Sequence, residues 1–141
     1  HYFKYYFDSD LRKPLGLIMK HQFEKRFKSD NIVLIPVPLH KKRLKYRSFN
    51  QAELLAREVM EPINALTRTK HTSPQAKLGR GERLKNLTNA FALRPGTDLR
   101  GKTAVLIDDV CTTGSTLEEC AKALGKARPK EIYGLVIAKG C

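Results

Sequence analysis

Residues 104–116 read Ala-Val-Leu-Ile-Asp-Asp-Val-Cys-Thr-Thr-Gly-Ser-Thr. The apolar run 104–107 shows no polar alternation, which is typical of a strand buried on both faces of a parallel sheet. We expect this strand to end at Asp108 and Asp109, after which small hydroxyl-bearing residues and Gly114 precede a helical pattern. The stretch therefore predicts a strand, a loop large enough for a phosphate and the N-terminus of a helix.

The loop at 112–116 has the chemistry of an anion site. A helix N-terminus offers unpaired N–H groups and the positive end of a dipole, while Gly114 allows close backbone approach and the hydroxyls add donors without bulk. Asp108 and Asp109 would repel a phosphate, so they suit a ligand with neighbouring hydroxyls, such as a ribose, or a divalent cation. A phosphorylated sugar satisfies both requirements. The alternative is an ordinary strand-to-helix turn with two incidental surface acids.

Residues 105–116 resemble the phosphoribosyl pyrophosphate (PRPP) signature of type I phosphoribosyltransferases. In that superfamily the paired acids hold the ribose hydroxyls and the Thr-Gly loop cradles the 5′-phosphate. The resemblance implies a catalytic role for Asp108 and Asp109. It also implies a substrate-binding set made of Asp108, Asp109, Val110, Cys111, Thr112, Thr113, Gly114, Ser115 and Thr116.

Length and composition indicate a single globular domain over residues 1–141, of which 41% are hydrophobic. No apolar stretch approaches transmembrane length, and the aromatic, quickly charged N-terminal residues are unlike a signal peptide. A cytoplasmic protein without membrane insertion is therefore expected. The 3 cysteines lack C-x-x-C spacing, so we expect neither a disulfide framework nor a metal held by side chains alone.

Cys111 lies near the predicted helix N-terminus, where the pKa of a thiol can fall. A redox role is one interpretation of that position. Neither a base nor a second cysteine is adjacent in the sequence, so a small residue tolerated in the loop is the favoured interpretation.

The formal net charge of +13 is large for this length. It predicts attraction to polyanions, and both PRPP and nucleic acid qualify. One PRPP site needs only a few cations, so the excess leaves room for a second acidic partner.

A second predicted strand and loop precede residues 104–116. The apolar run 32–35 is followed by prolines and then by the basic run 39–47. Loops after parallel strands bind anions, so Arg43, Lys45 and Arg47 are candidates for the pyrophosphate of PRPP. A solvated charge run is the plain alternative, and single-stranded nucleic acid another, since aromatic residues interleave with the cations. A helix follows, with Ser48 predicted as its N-cap in a capping box.

Residues 36–39 and 47–51 resemble the ComF family of phosphoribosyltransferase-like proteins, where Pro-Val-Pro leads to Arg-Gly-Phe-Asn-Gln. Ser48 stands in place of the glycine of that pattern. The resemblance implies an association with competence, and members often carry a four-cysteine zinc module before the region where this sequence starts. Natural absence of that module and its removal from a longer chain are both open. The remaining matches to the family are Thr72, Gln75, Leu78, Arg83, Asn86, Ala90 and Phe91.

The other segments complete the predicted fold. We expect a helical segment within 1–30, a short strand in 63–68, and an irregular stretch at 69–100. A helix over 115–127 and a final strand over 132–138 follow. The fold class is α/β, a parallel sheet with helices on both faces. The resemblance implies the Rossmann-like type I phosphoribosyltransferase fold, in which 69–100 would be a flexible hood. Candidates for a basic hood residue that reaches the pyrophosphate are Arg68, Lys70 and Arg83.

The sequence is therefore compatible with two functions of different classes. The first is a PRPP-binding phosphoribosyltransferase that releases pyrophosphate, with Mg²⁺ held mainly through PRPP and an acceptor that the sequence does not identify. The second is a non-enzymatic DNA-uptake protein that binds single-stranded DNA and uses PRPP as a regulator. A basic domain with no polyanionic partner is the third, plain alternative. The sequence leaves open whether the chain forms a homodimer.

Overall fold

The computed structural model describes residues 15–40, 44–45, 49–70, 88–111 and 113–139, together with the backbone of 3–7. In chain order its elements are β1 (Phe3–Phe7), α1 (Leu15–Arg26), β2 (Ile32–Pro36), α2 (Gln51–Val59), β3 (Leu66–Arg68), β4 (Phe91–Leu93), β5 (Thr103–Cys111), α3 (Ser115–Gly125) and β6 (Glu131–Lys139).

The main sheet has 4 parallel strands in the order β1-β6-β5-β2. In the register across its centre, Ile35 lies beside Leu106, and Leu106 lies beside Gly134. The β3 and β4 strands form a separate antiparallel pair. The α/β class predicted from the sequence is confirmed.

Helices cover both faces of the sheet. Successive residues of β5 point to opposite sides, so this strand contributes side chains to a buried cluster on each face. Val105 and Ile107 pack with α1 and α2 in one buried cluster. Ala104 and Leu106 pack with α3 in the other. The unalternating apolar run of β5 is thus buried on both faces, as its pattern predicts.

The prediction that the strand ends at the acids is wrong, because β5 continues to Cys111. Asp108 pairs with Val136, and Cys111 pairs with Lys139. The strand continues because β6 runs alongside and supplies ladder partners through its last residue. The paired acids therefore lie on a strand with a fixed register.

The helical segment expected within 1–30 is present as α1, and the additional strand β1, which was not expected, pairs with β6 and extends the sheet. The helix α1 begins at Leu15, immediately after Pro14. A helix start beside a proline agrees with the tolerance of proline at that position. Within the described part of the chain, no helix is long and apolar enough to cross a membrane.

The later part of the expected hood, 88–100, packs against the rest of the domain. Ala90, Phe91 and Leu99 are buried in the cluster beneath α3. The spacing of Leu84, Leu87 and Phe91 in the sequence predicts one or two helical turns, but Phe91 lies in the strand β4. Residues 71–87, including the earlier part of the predicted hood, lie outside the described residues.

Candidate functional site

The carboxyl ends of β2 and β5 open onto a shared cavity of about 270 Å³. Its walls are residues 37–39 after β2, residues 50–52 at the start of α2, and the stretch that joins β5 to α3, with Arg68 completing the lining. The chain that leaves β2 and the chain that leaves β5 therefore border one cavity, as expected at this edge of a parallel sheet.

Asp108 and Asp109 are half-buried in that cavity. The backbone N–H of Asp109 donates to Asp108 Oδ1 at 2.9 Å, and the N–H of Val110 donates to Asp109 Oδ1 at 2.8 Å. These bonds hold one oxygen of each carboxyl group against the backbone. The two side chains are thereby oriented at the end of the strand, before any ligand binds.

The pKa of Asp108 is raised well above its usual range, first because the carboxyl group is buried and then because Asp109 lies beside it. The positive charge of Arg68 acts in the opposite direction. A ligand that brings hydroxyl donors or a cation would favour the ionised form.

Asp108→Asn is expected to stabilise the ligand-free protein at alkaline pH. A pKa that is raised in the folded state contributes stability below the unfolded value of about 3.9, and this contribution is lost as the pH rises through the folded value. Asparagine keeps the acceptor for the Asp109 N–H but has no charge to bury. At alkaline pH we expect its Tm to exceed the wild-type value by roughly 3 °C, and near pH 4 the two should coincide.

Thermal unfolding followed by circular dichroism across this pH range measures the difference. The exposed Asp30→Asn variant is the control and should follow the wild-type curve. A constant difference between Asp108→Asn and wild type at all pH values would contradict the assignment of the effect to Asp108 ionisation.

The loop before α3 is shaped by its own hydroxyls. Gly114 adopts φ 84° as the N-cap of α3, and the Oγ atoms of Thr113 and Ser115 lie 2.7 Å apart. The Ser115 N–H donates to Thr113 Oγ1 at 3.3 Å. Residues 113–116 line the cavity with the start of a helix, which fits the predicted phosphate loop. Thr112 lies outside the described residues.

Arg68 is the hood candidate that reaches the cavity. Its guanidinium carbon lies 5.4 Å from the centroid of the Phe91 ring, where an aromatic face favours a cation. Lys70 instead donates from Nζ to the Thr88 carbonyl at 2.6 Å and does not line the cavity. Arg83 lies outside the described residues.

Of the three residues predicted to bind pyrophosphate, one lies within the described part of the chain. Lys45 is exposed and does not line the cavity, whereas Arg43 and Arg47 lie outside the described residues. The neighbouring wall is formed by residues 37–39.

The Cys111 thiol is buried, and its pKa is raised first by burial and then by the charge of Asp108. The hydrogen bond with the Gly114 backbone acts in the opposite direction but does not prevail. A raised pKa suppresses the thiolate form and supports the interpretation of Cys111 as a small filling residue. Across the described ranges no cluster of three or more His, Cys, Asp and Glu residues could hold a metal ion.

Asn50 is a site residue that the sequence reasoning missed. Its Oδ1 accepts from the Ala52 N–H at 3.1 Å, and its Nδ2 donates to the Val37 carbonyl at 3.0 Å. Asn50 is therefore the N-cap of α2, in the position predicted for Ser48. Ser48 lies outside the described residues. The Phe-Asn-Gln order just before a helical pattern was the available signal, since Asn is a strong N-cap.

Because Asn50 joins the end of β2 to the start of α2, we expect its two bonds to be separable by mutation. Asn50→Ala removes both and should lower the free energy of unfolding by about 2 kcal/mol, the sum of about 1 for the cap and about 1 for the bond to Val37. Asn50→Asp keeps the cap acceptor and should lose only about half as much. Urea unfolding measures both, and equal losses would contradict the separate roles.

Residues 96–103 match the G-x-x-x-x-G-K-[ST] pattern of P-loops, which the sequence reasoning missed. A P-loop lies between a strand and a helix, so that the helix N-terminus meets the phosphates. Here the pattern leads directly into β5, and Thr103 is the first residue of that strand. The match therefore lacks the helix that makes a P-loop a phosphate site.

The fold is that of a phosphoribosyltransferase. A hypoxanthine phosphoribosyltransferase from Staphylococcus aureus superposes with a TM-score of 0.50, covering 89% of this chain and 62% of that chain at 14% sequence identity. At that identity the similarity establishes the fold alone. The type I architecture predicted from residues 105–116 is confirmed.

Curated relatives carry names that refer to competence or to DNA utilization. Competence protein F of Haemophilus influenzae is 40% identical, covering 74% of this chain and 50% of that protein. Competence protein ComFC of Bacillus subtilis is 31% identical over 95% of this chain and 56% of its own length. DNA utilization protein YhgH of Escherichia coli is 38% identical over 64% of this chain and 42% of its own length. The chain thus spans about half the length of these relatives.

The family model described as the phosphoribosyl transferase domain matches residues 44–140, which include the whole of the β5–α3 loop. The chain belongs to this family, as a phosphoribosyltransferase-like protein of the ComF type. The resemblance to the ComF family is thereby confirmed.

Proposed function

We propose that this protein binds PRPP and transfers its 5-phosphoribosyl group to an acceptor with release of pyrophosphate. The observation that supports this most directly is the single cavity in which the paired acids Asp108 and Asp109 lie beside the loop 113–116. An acidic pair suits the ribose hydroxyls, and a helix N-terminus suits the 5′-phosphate. The family and the fold are consistent with this ligand.

The pyrophosphate of PRPP is proposed to lie toward residues 37–39 and 50–52. The start of α2 adds a second helix N-terminus to that wall, and an anion is favoured there. Arg43, Lys45 and Arg47 precede this helix in the chain and are proposed to supply cations. Arg68 lies within the cavity and adds another positive charge.

Mg²⁺ is proposed to bind with PRPP, mainly through oxygens of the ligand. The donor chemistry of the cavity fits this ion, because carboxylate oxygens are the hard ligands that Mg²⁺ prefers and two of them line the same space. When bound, the ion neutralises charge on the pyrophosphate. The positive charge of the bound ion would favour the ionised form of Asp108 and so counteract the burial that raises the pKa of this carboxyl group.

In the proposed transfer, the bond between the anomeric carbon and the pyrophosphate oxygen breaks, and its electron pair leaves with pyrophosphate. A lone pair of the acceptor forms the new bond to that carbon. Asp108 and Asp109 hold the ribose in place, while cationic groups stabilise the charge that develops on the leaving oxygen. The acceptor is a nucleophile of unassigned class.

Calorimetric titration of PRPP into the protein, with and without Mg²⁺, tests the proposal. Ribose 5-phosphate and pyrophosphate serve as half-ligands that occupy one end of the cavity each. We expect PRPP to bind more tightly than either half, and Mg²⁺ to strengthen its binding. Absence of PRPP binding to folded protein would refute the proposal, whereas binding would justify a screen of acceptors for pyrophosphate release.

A second candidate function is DNA uptake without catalysis, with PRPP as a regulator. The names of the competence and DNA utilization relatives favour it, as does the net charge of +13. A cytoplasmic location is proposed with either function. Single-stranded DNA is the proposed partner in this case.

A further inference from the structure

A second basic region lies at the end of the sheet opposite the cavity. The segments 97–102 and 126–130 lie side by side there, since the Leu99 N–H donates to the Ala127 carbonyl at 3.0 Å and the Lys130 N–H donates to the Lys102 carbonyl at 2.8 Å. Arg100 also forms an isolated bridge with Pro129. These two segments form one continuous surface, which we name the strand-entry surface because β5 and β6 start from it.

The strand-entry surface is strongly positive. Its exposed cations are Arg100, Lys102, Lys126, Arg128 and Lys130. Asp98 is the one acid within the two segments, and it pairs with Arg100 at 2.7 Å. Hydrogen bonds from Arg100 lower the pKa of Asp98 to about 2, and the charge of Arg128 adds to this effect. The adjacent Glu131 accepts a hydrogen bond from the Tyr133 hydroxyl.

The surface is also concave. Residues 97, 98, 100 and 126–128 line a shallow groove of about 190 Å³. Lys102 precedes Asp108 by a rise of about 20 Å along β5, at about 3.3 Å per residue. The groove is therefore remote from the PRPP cavity and would not contact a ligand bound there.

We propose that the strand-entry surface binds the phosphate backbone of a nucleic acid. Clustered cations on one face are the usual footprint of such binding. A membrane surface fits less well, because membrane-binding faces combine cations with exposed apolar residues. Among the described residues, the large exposed hydrophobic side chains all lie outside the two segments; they are Leu17, Leu44, Phe49, Leu54, Met60, Ile63 and Val110.

The two segments contain no aromatic residue, so the surface offers cations but no stacking platform. The contact is therefore with phosphates and is insensitive to base sequence. This inference rests on the second candidate function and places its nucleic-acid contact away from the basic run 39–47. A separate site would allow PRPP and nucleic acid to bind at the same time.

The test compares two variants that each reduce the net charge by three. The first is Lys102→Gln, Arg128→Asn and Lys130→Gln, in which asparagine is chosen because Arg128 has φ 58° and asparagine tolerates a positive φ. The matched control is Lys20→Gln, Arg57→Gln and Arg94→Gln, all exposed and outside the surface. Fluorescence anisotropy with a labelled oligothymidylate across a salt series gives the affinity and its salt dependence.

In the plot of log affinity against log salt, the strand-entry variant is expected to have a slope whose magnitude is smaller by about 2. Each of its three lost phosphate contacts with a single strand contributes about 0.7 to that magnitude. The control should retain the wild-type slope, and both variants should bind PRPP as the wild type does. Equal slopes for the two variants would overturn the proposed surface while leaving DNA binding intact. If the wild type does not bind nucleic acid, both this surface and the second candidate function fail, and the PRPP titration still decides the first.

Discussion

Joint replacement of Asp108 and Asp109 by asparagine is expected to weaken PRPP binding by about 30- to 150-fold. A hydrogen bond to a charged group contributes about 1.5–3 kcal/mol and a neutral one about 0.5–1.5 kcal/mol, so the exchange of two bonds to the ribose hydroxyls costs about 2–3 kcal/mol. The geometry should persist, because asparagine retains the acceptor oxygens that hold the Asp109 and Val110 N–H groups. Calorimetric titration with Mg²⁺ measures the loss.

The matched control removes two negative charges elsewhere, through Glu24→Gln and Asp30→Asn, both exposed. It should bind PRPP like the wild type, which separates loss of the ribose contacts from a general change in charge. Wild-type affinity in the Asp108 and Asp109 variant would show that the acids do not contact the ligand. A loss of nucleic-acid binding in that folded variant would argue against two separate sites.

Gly114→Ala is expected to abolish phosphate binding in the loop and also to destabilise the fold. Gly114 has φ 84°, a conformation that costs a residue with a Cβ atom roughly 1–2 kcal/mol. Relief of this strain would rotate the peptide groups at the start of α3 away from the phosphate. We expect PRPP to bind at least about 10-fold more weakly, corresponding to about 1.4 kcal/mol.

Gly96→Ala is a matched control for the strain, because Gly96 also has φ 84° and an added Cβ would meet nothing within 4 Å. Both variants should lose a similar amount of stability in urea unfolding, but only Gly114→Ala should lose PRPP affinity. Similar PRPP affinities in the two variants would show that the loop at Gly114 does not bind the phosphate. A larger stability loss at Gly114 would indicate contacts beyond the backbone strain.

Patterns over neighbouring residues predicted much of the fold. The apolar run 104–107 identified the central strand, and the helix predicted over 115–127 corresponds to α3, whose buried face includes Leu117, Cys120 and Leu124. These signals are reliable because burial on one or both faces imposes a period that the sequence displays directly. Strand and helix ends were less accurate, since β5 gains its last residues from pairing with β6.

Contacts between distant residues were not predictable in the same way. Asn50 bonds to Val37 across 13 residues, which no local pattern records. Arg68 was one of three hood candidates, and only the packing of β3 beside β4 brings it to the cavity. The strand β1 was missed because its pairing depends on β6, at the other end of the chain.

By itself, then, the sequence determined the α/β class, the acidic pair and the hydroxyl-rich loop, because each depends on residues that are adjacent in the chain. The tertiary structure decided that Arg68 shares a cavity with the acids, that Asn50 caps α2, and that 97–102 and 126–130 form one basic surface. Those features arise when parallel strands bring segments that are far apart in the sequence to a common edge of the sheet. The contacts between such segments form only in the folded chain, so the order of residues does not reveal them.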